Sequence, residues 1–202
     1  MLPIPFYMQI VLFLCLVAGM LIYDRLKPSK GNVRTKEYLF LVFAGIAGGV
    51  YGLVNDCFTA SISPGYFWLG KGLNNSPNLY IESILHGAKT GFSGGAILGG
   101  IFLVCRTYIF PAVSFKKIIF LMIVPLLVGI VLSVLFPYIL VNFDPFGIQK
   151  ALDGILAAEK ISAFLRVWRM HLGSYAGAAI GTVATIIYLK ISAPKTDNSS
   201  LS

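Results

Sequence analysis

Five stretches of this chain are each long and apolar enough to cross a bilayer, a pattern that the core helices of soluble proteins rarely show. A helix rises 1.5 Å per residue, so about 20 apolar residues span a hydrocarbon core of roughly 30 Å. The expected helices cover about residues 2–23, 38–55, 84–105, 117–141 and 170–190. Gln9 alone interrupts the first run, and His86 and Lys89 stand at the start of the third. Pro125 and Pro137 lie inside the fourth, each removing a backbone donor, so a kinked helix is expected there. The implied fold is all-α: a single transmembrane domain over residues 1–193, about five helices, and one or two outer interfacial helices. The Ser- and Asn-rich residues 194–202 are expected to be disordered.

Composition agrees. Apolar residues make up 57%, charged residues 12%, and the mean hydropathy is +0.82. A soluble domain of this length needs more polar surface. The net charge of +8 sits in short loops between apolar runs, which reads as topogenic charge rather than a nucleic-acid surface. The extreme N-terminus carries Pro3 and Pro5 and no Lys or Arg. Arg25, Lys27, Lys30, Arg34 and Lys36 follow the first run, favouring a retained helix with its N-terminus outside over a cleaved signal peptide. With that orientation the cytoplasmic segments hold ten basic residues against three acids (Asp24, Glu37 and Asp197). The outer segments hold six basic residues against five acids. The expected location is a bacterial inner membrane, N-terminus outside and C-terminus cytoplasmic.

Both outer segments are long. The first, from Asp56 to about Ser83, has turn signals at Ser63-Pro64-Gly65 and Asn74-Asn75-Ser76-Pro77, flanking an aromatic stretch, Tyr66-Phe67-Trp68, suited to the membrane interface. The second, Phe146 to Trp168, has helical periodicity that changes face. Ile148, Leu152, Ile155 and Leu156 share one side, and Ile161, Phe164, Leu165 and Trp168 another. Two short helices with a bend near Glu159-Lys160, or one helix wedged between protein and lipid, would account for this.

Three runs carry glycines at intervals of four: Gly48 and Gly52; Gly87, Gly91, Gly95 and Gly99; and Gly173, Gly177 and Gly181. Lipid offers little hydrophobic drive between helices, so close backbone approach matters more, and the ladders predict a tight bundle of the second, third and fifth helices. General glycine content of membrane helices and homodimerisation through one ladder are the alternatives. Gly91-x3-Gly95-Ala96-x2-Gly99 also matches Gly173-x3-Gly177-Ala178-x2-Gly181, a weak sign of duplication.

Few polar residues accompany the runs. Asp56 continues the Gly48, Gly52 ladder by four and so belongs on the packed seam, where a carboxylate must find a partner or take up a proton. Glu82, His86 and Lys89 share a helix face and suit a proton relay, a polar-solute site, or a solvated helix entrance. Arg166 and Arg169 precede the fifth run and suit a lipid phosphate, an anionic solute, or simple snorkelling. His171, Ser174 and Tyr175 share a face just inside it. Cys15, Cys57 and Cys105 form no disulfide framework or zinc motif, so no metal or cofactor is expected. No G-x-S-x-G or H-E-x-x-H occurs, leaving an enzymatic reading on residue types alone.

Two segments carry a resemblance. Asn55-Asp56-Cys57-Phe58-Thr59 with Ser63-Pro64-Gly65-Tyr66-Phe67, and Met170-His171-Leu172-Gly173-Ser174-Tyr175 at the head of the last helix, resemble segments of small multi-pass bacterial membrane proteins of uncharacterised activity. Those proteins carry an acid where this chain has Gly65 and an Asn where it has Leu172. The resemblance implies architecture only, and singles out Asn55, Asp56, Thr59, Ser63, Pro64, Tyr66, Phe67, His171, Ser174 and Tyr175. The leading expectation is transport or conduction of a small polar solute or ion, with Asp56 facing His171. A non-catalytic assembly subunit is the alternative, and an intramembrane enzyme acting on lipid or peptide the third. The expected partners are the lipid bilayer and either a second copy or another membrane protein; nucleic acid is not expected.

Overall fold

The computed structural model describes residues 6–26, 35–73 and 77–192. The described residues are helical, without a β-strand: α1 (Phe6–Leu26), α2 (Thr35–Ile62), α3 (Leu79–Val104), α4 (Phe115–Leu121), α5 (Ile123–Ile139), α6 (Ile148–Leu152) and α7 (Ala158–Ser192). Single π-helical turns occupy Tyr66–Gly70 and Cys105–Ile109, the second extending α3. Among the described residues, four helical segments are long and apolar enough to cross a membrane: Thr35–Ile62, Leu79–Ile109, Phe115–Ile139 and Ala158–Ser192. Their outward stripes are apolar. On α2, Phe43, Ile46, Val50 and Val54 are exposed at helical spacing, a surface that water would penalise and acyl chains accept.

These helices form two antiparallel pairs, α2 with α3 and α5 with α7. In the first, Ala44, Gly48 and Gly52 meet Gly99, Gly95 and Gly91 in reverse order. A methyl group added at Gly52 would strike the carbonyl oxygen of Gly87, and one at Gly91 that of Gly48. In the second, Gly173 lies against the Leu132 carbonyl, and a methyl on Gly177 would fall 2.6 Å from the Gly129 Cα. The expected bundle of the second, third and fifth helices is corrected here: the α7 ladder faces α5. Small residues on α5, Gly129 and Ser133, and the flat ring of Pro125 make that approach possible.

Several boundaries also differ from expectation. α2 runs on to Ile62, so Asp56 and Thr59 stand on a helix rather than in the outer segment expected to begin at Asp56. Thr59 helps by donating from Oγ1 to the Asn55 carbonyl at 2.9 Å, and Pro64, which cannot donate, follows the end. The fourth run is interrupted at Met122. Pro125 explains this, since its ring clashes with the carbonyl four residues earlier, at Leu121, and it has no N–H to bond it. Pro137 stays inside α5. The last helix begins at Ala158, not near residue 170, and absorbs Ile161, Phe164, Leu165 and Trp168. The change of face therefore lies between α6 and α7, where Gly154 takes φ +79°, not at Glu159-Lys160. Asn78 and Ser114 cap α3 and α4 by accepting from Ile81 N and Lys117 N.

Two apolar clusters close the ends of the four-helix unit. Phe40, Ala44, Phe102, Phe110, Ile118, Met122 and Leu189 pack at the end where α2 begins. There Arg106 pairs with Glu37 at 3.5 Å, and Lys117 Nζ donates to Ser192 Oγ at 2.8 Å. Tyr66, Phe67, Leu152, Ile161, Phe164, Leu165 and Val167 pack at the other end. The segments around Pro3 and Pro5, residues 27–34, residues 74–76, where a turn is expected, and residues 193–202 lie outside the described residues.

Candidate functional site

The site forms where the two helix pairs meet. Asp56 reaches it because α2 carries it one turn beyond Gly52, on the stripe packed against α3: a methyl on Gly87 would fall 2.6 Å from the Asp56 Cβ. His171 reaches it from α7, two positions before Gly173. Asp56 and His171 are 3% and 4% exposed, and Asp56 Oδ1 lies 3.6 Å from His171 Nε2. That is ion-pair range, longer than a formed hydrogen bond.

Neighbouring groups orient the pair. Asn55 Nδ2 donates to Asp56 Oδ1 at 3.1 Å. Thr59 Oγ1 lies 3.4 Å from His171 Nε2. The Thr59 hydroxyl proton already goes to the Asn55 carbonyl, so its oxygen is left to accept. This assigns the proton of a neutral His171 to Nε2, directed between Thr59 and Asp56. Tyr66 stacks on the imidazole, centroids 4.9 Å apart at 18°, and Phe67 meets it edge-on at 6.0 Å. Both rings come from the π-helical turn, which closes through Lys71 N to the Tyr66 carbonyl at 3.1 Å. Burial raises the Tyr66 phenol above its ordinary pKa, so it stays protonated. The aromatic cover thus packs on His171, and neither ring lines the cleft described next.

A cleft of about 110 Å³ reaches the pair from the other side. Helices α2, α3, α5 and α7 all line it, through Tyr51, Gly52, Gly91, Gly95, Pro125, Gly129, Ser174 and others. From Asp56 to Gly48 the lining descends eight residues, about 12 Å along α2. The volume exceeds the roughly 10–15 Å³ that one water molecule needs. Tyr51 donates to Ser174 Oγ across the cleft at 2.8 Å. Thr90, Gly94 and Tyr175 on its lining are exposed, so it opens sideways between α3 and α7.

The structure divides the sequence candidates. Asn55, Asp56, Thr59, Tyr66, His171, Ser174 and Tyr175 converge, with Ser63 buried one turn past Thr59. Glu82, His86 and Lys89 share α3 but do not line the cleft. Arg166 is exposed, and Arg169 lines a separate pocket with Asp144 and Lys150. Two members were missed, Tyr51 and Thr90. Tyr51 had a signal: a phenol between Gly48 and Gly52 in an apolar run needs a partner. Among the described residues, no three His, Cys, Asp or Glu side chains converge as metal ligands would. Comparison of the chain with protein families, curated proteins and solved structures finds no match.

Proposed function

We propose that this chain is a multi-pass protein of a bacterial inner membrane that moves a small polar solute or an ion, with Asp56 and His171 as the groups the cargo engages. The observation that carries the reading is the buried carboxylate–imidazole pair at the head of a cleft lined by all four long helices. Ionisable groups within membrane helices are costly, and a pair kept there marks a solute or proton pathway by default. In this reading α1 is a fifth span, and the glycine seams hold each helix pair together. The end bearing Lys36, Arg106, Lys116, Lys117 and Lys190 faces the cytoplasm, and the aromatic cover faces out. The likeness to small multi-pass bacterial membrane proteins supports the same architecture.

Passage requires the cover of Tyr66 and Phe67 to move, because it closes the outer side of the pair. The test is reconstitution into liposomes. Proton flux is read with an enclosed pH-sensitive dye under an imposed potential, and solute flux by osmotic swelling with a panel of small polar solutes. Asp56→Asn and His171→Ala should each abolish the flux at unchanged membrane abundance. Loss of abundance in both, with flux per molecule intact, would assign the pair a structural role instead.

A second reading is favoured by one observation, the sideways exposure of Thr90, Gly94 and Tyr175. Through that opening an amphiphile enters from the bilayer, its polar group meeting Asp56 and His171, as an intramembrane enzyme would need. Release of altered lipid from the liposomes, dependent on His171, would favour it. A stoichiometric membrane partner in purified samples would favour the assembly-subunit alternative.

A further inference from the structure

A second polar pocket, of about 610 Å³, lies between α6, the end of α5 and the first turns of α7. Its lining includes Asp144, Gln149, Lys150, Asp153, Ser162 and Arg169. Arg169 is only 7% exposed, and its Nε has no hydrogen-bond partner. A guanidinium cannot shed its charge to relieve this, so a buried arginine whose Nε lacks a partner calls for an anion.

The two carboxylates of the pocket do not supply it. Asp144 is turned toward the start of α6, its Oδ1 accepting from Ile148 N at 2.8 Å and its Oδ2 from Gln149 N at 2.9 Å. Asp153 is exposed, and Arg169 forms no ion pair with either acid among the described residues. The remaining groups are donors. Ser162 precedes Arg169 by seven residues and so lies on the same face of α7, and Lys150 and Gln149 approach from α6. Val141, Ile161 and Leu165 form an apolar wall beside them. His171 is two residues further, about 200° around the helix, so this pocket and the Asp56–His171 cleft are separate sites.

We propose that this pocket binds a phosphate-bearing anion, held in bidentate fashion by Arg169 with Lys150, Gln149 and Ser162 completing its donors. A planar fork suits two oxygens of one phosphate, and the apolar wall accepts the glycerol and first methylenes of a lipid. The phosphodiester of a lipid headgroup and free inorganic phosphate share this chemistry.

The full chain, purified in detergent and stripped of lipid, is titrated with short-chain phosphatidylglycerol and with inorganic phosphate, followed by native mass spectrometry and thermal stability. Wild-type protein should bind phosphatidylglycerol at defined stoichiometry, and Arg169→Gln should bind about tenfold or more weakly. Arg169→Lys, which keeps the charge and loses the fork, should fall between. Binding of phosphatidylglycerol alone identifies a lipid site. Binding of both probes, each lost in Arg169→Gln, identifies a general phosphate site. Should Arg169→Gln not fold, Lys150→Gln with Ser162→Ala, both exposed positions, should weaken binding several-fold. Affinities within about twofold of wild type across the soluble variants, or no binding by wild type, overturn the proposal.

Discussion

Replacing Gly91 by Ala tests the close packing of α3 against α2. A Cβ there meets the Gly48 carbonyl and the Gly52 Cα, all backbone, so no side chain can swing aside. The helices must separate by roughly 1 Å, and a gap of that size forfeits about a quarter to a half of the dispersion attraction along the seam. Overpacking of this kind costs about 1–3 kcal/mol, against a gain of about 1 kcal/mol from the helix preference of Ala over Gly. A net loss of up to about 2 kcal/mol is expected for Gly91→Ala. Gly100 on the same helix has nothing within 4 Å of its added Cβ, so Gly100→Ala should be neutral or gain up to about 1 kcal/mol. The two variants should therefore move in opposite directions. Unfolding in mixed micelles of dodecyl maltoside with increasing dodecyl sulfate, followed by circular dichroism, gives both midpoints. Equal shifts in the two variants would refute the account of the α2–α3 contact.

Three further outcomes follow from the geometry. Tyr66→Ala should uncover His171, so in a His86→Gln background diethylpyrocarbonate should modify the remaining histidine several-fold faster; an unchanged rate would remove the aromatic cover from the account. Tyr51→Phe deletes the 2.8 Å bond to Ser174 and leaves that hydroxyl buried, so stability in the same micelle titration should drop by about 1 kcal/mol; no drop would mean that Ser174 finds another partner. Asp144→Ala frees the first two N–H groups of α6, a loss of about 1 kcal/mol that should appear as faster proteolysis between Val141 and Ala157; unaltered cleavage would count against that anchor.

The helices were legible because lipid-crossing runs need only length and apolarity, and 3.6-residue periodicity then placed Asp56 on the ladder stripe. What the sequence could not say is which helix each ladder meets. Glycine permits close approach without naming a partner, and Gly173, Gly177 and Gly181 found Gly129 and Pro125 on α5 rather than α2 or α3. Helix ends were misread wherever polar residues continue a helix past the apolar limit. Thr59 bonding back to Asn55 keeps α2 intact as far as Ile62, although Asn55-Asp56 looks like a loop by composition. Arg169 and His171 line different pockets for a geometric reason: two residues apart in sequence is nearly opposite on a helix. The break at Met122 lay three residues before the proline that causes it, as the clash with the preceding turn requires.

The two kinds of contact between the long helices have unequal stiffness. Within each pair, backbone rests on backbone, and neither partner can slide without carbonyls colliding. Between the pairs, contact passes through side chains such as Tyr51, whose rotamers turn on far shorter timescales than helices shift. Asp56 belongs to one pair and His171 to the other, so any displacement of one pair against its neighbour changes their 3.6 Å separation.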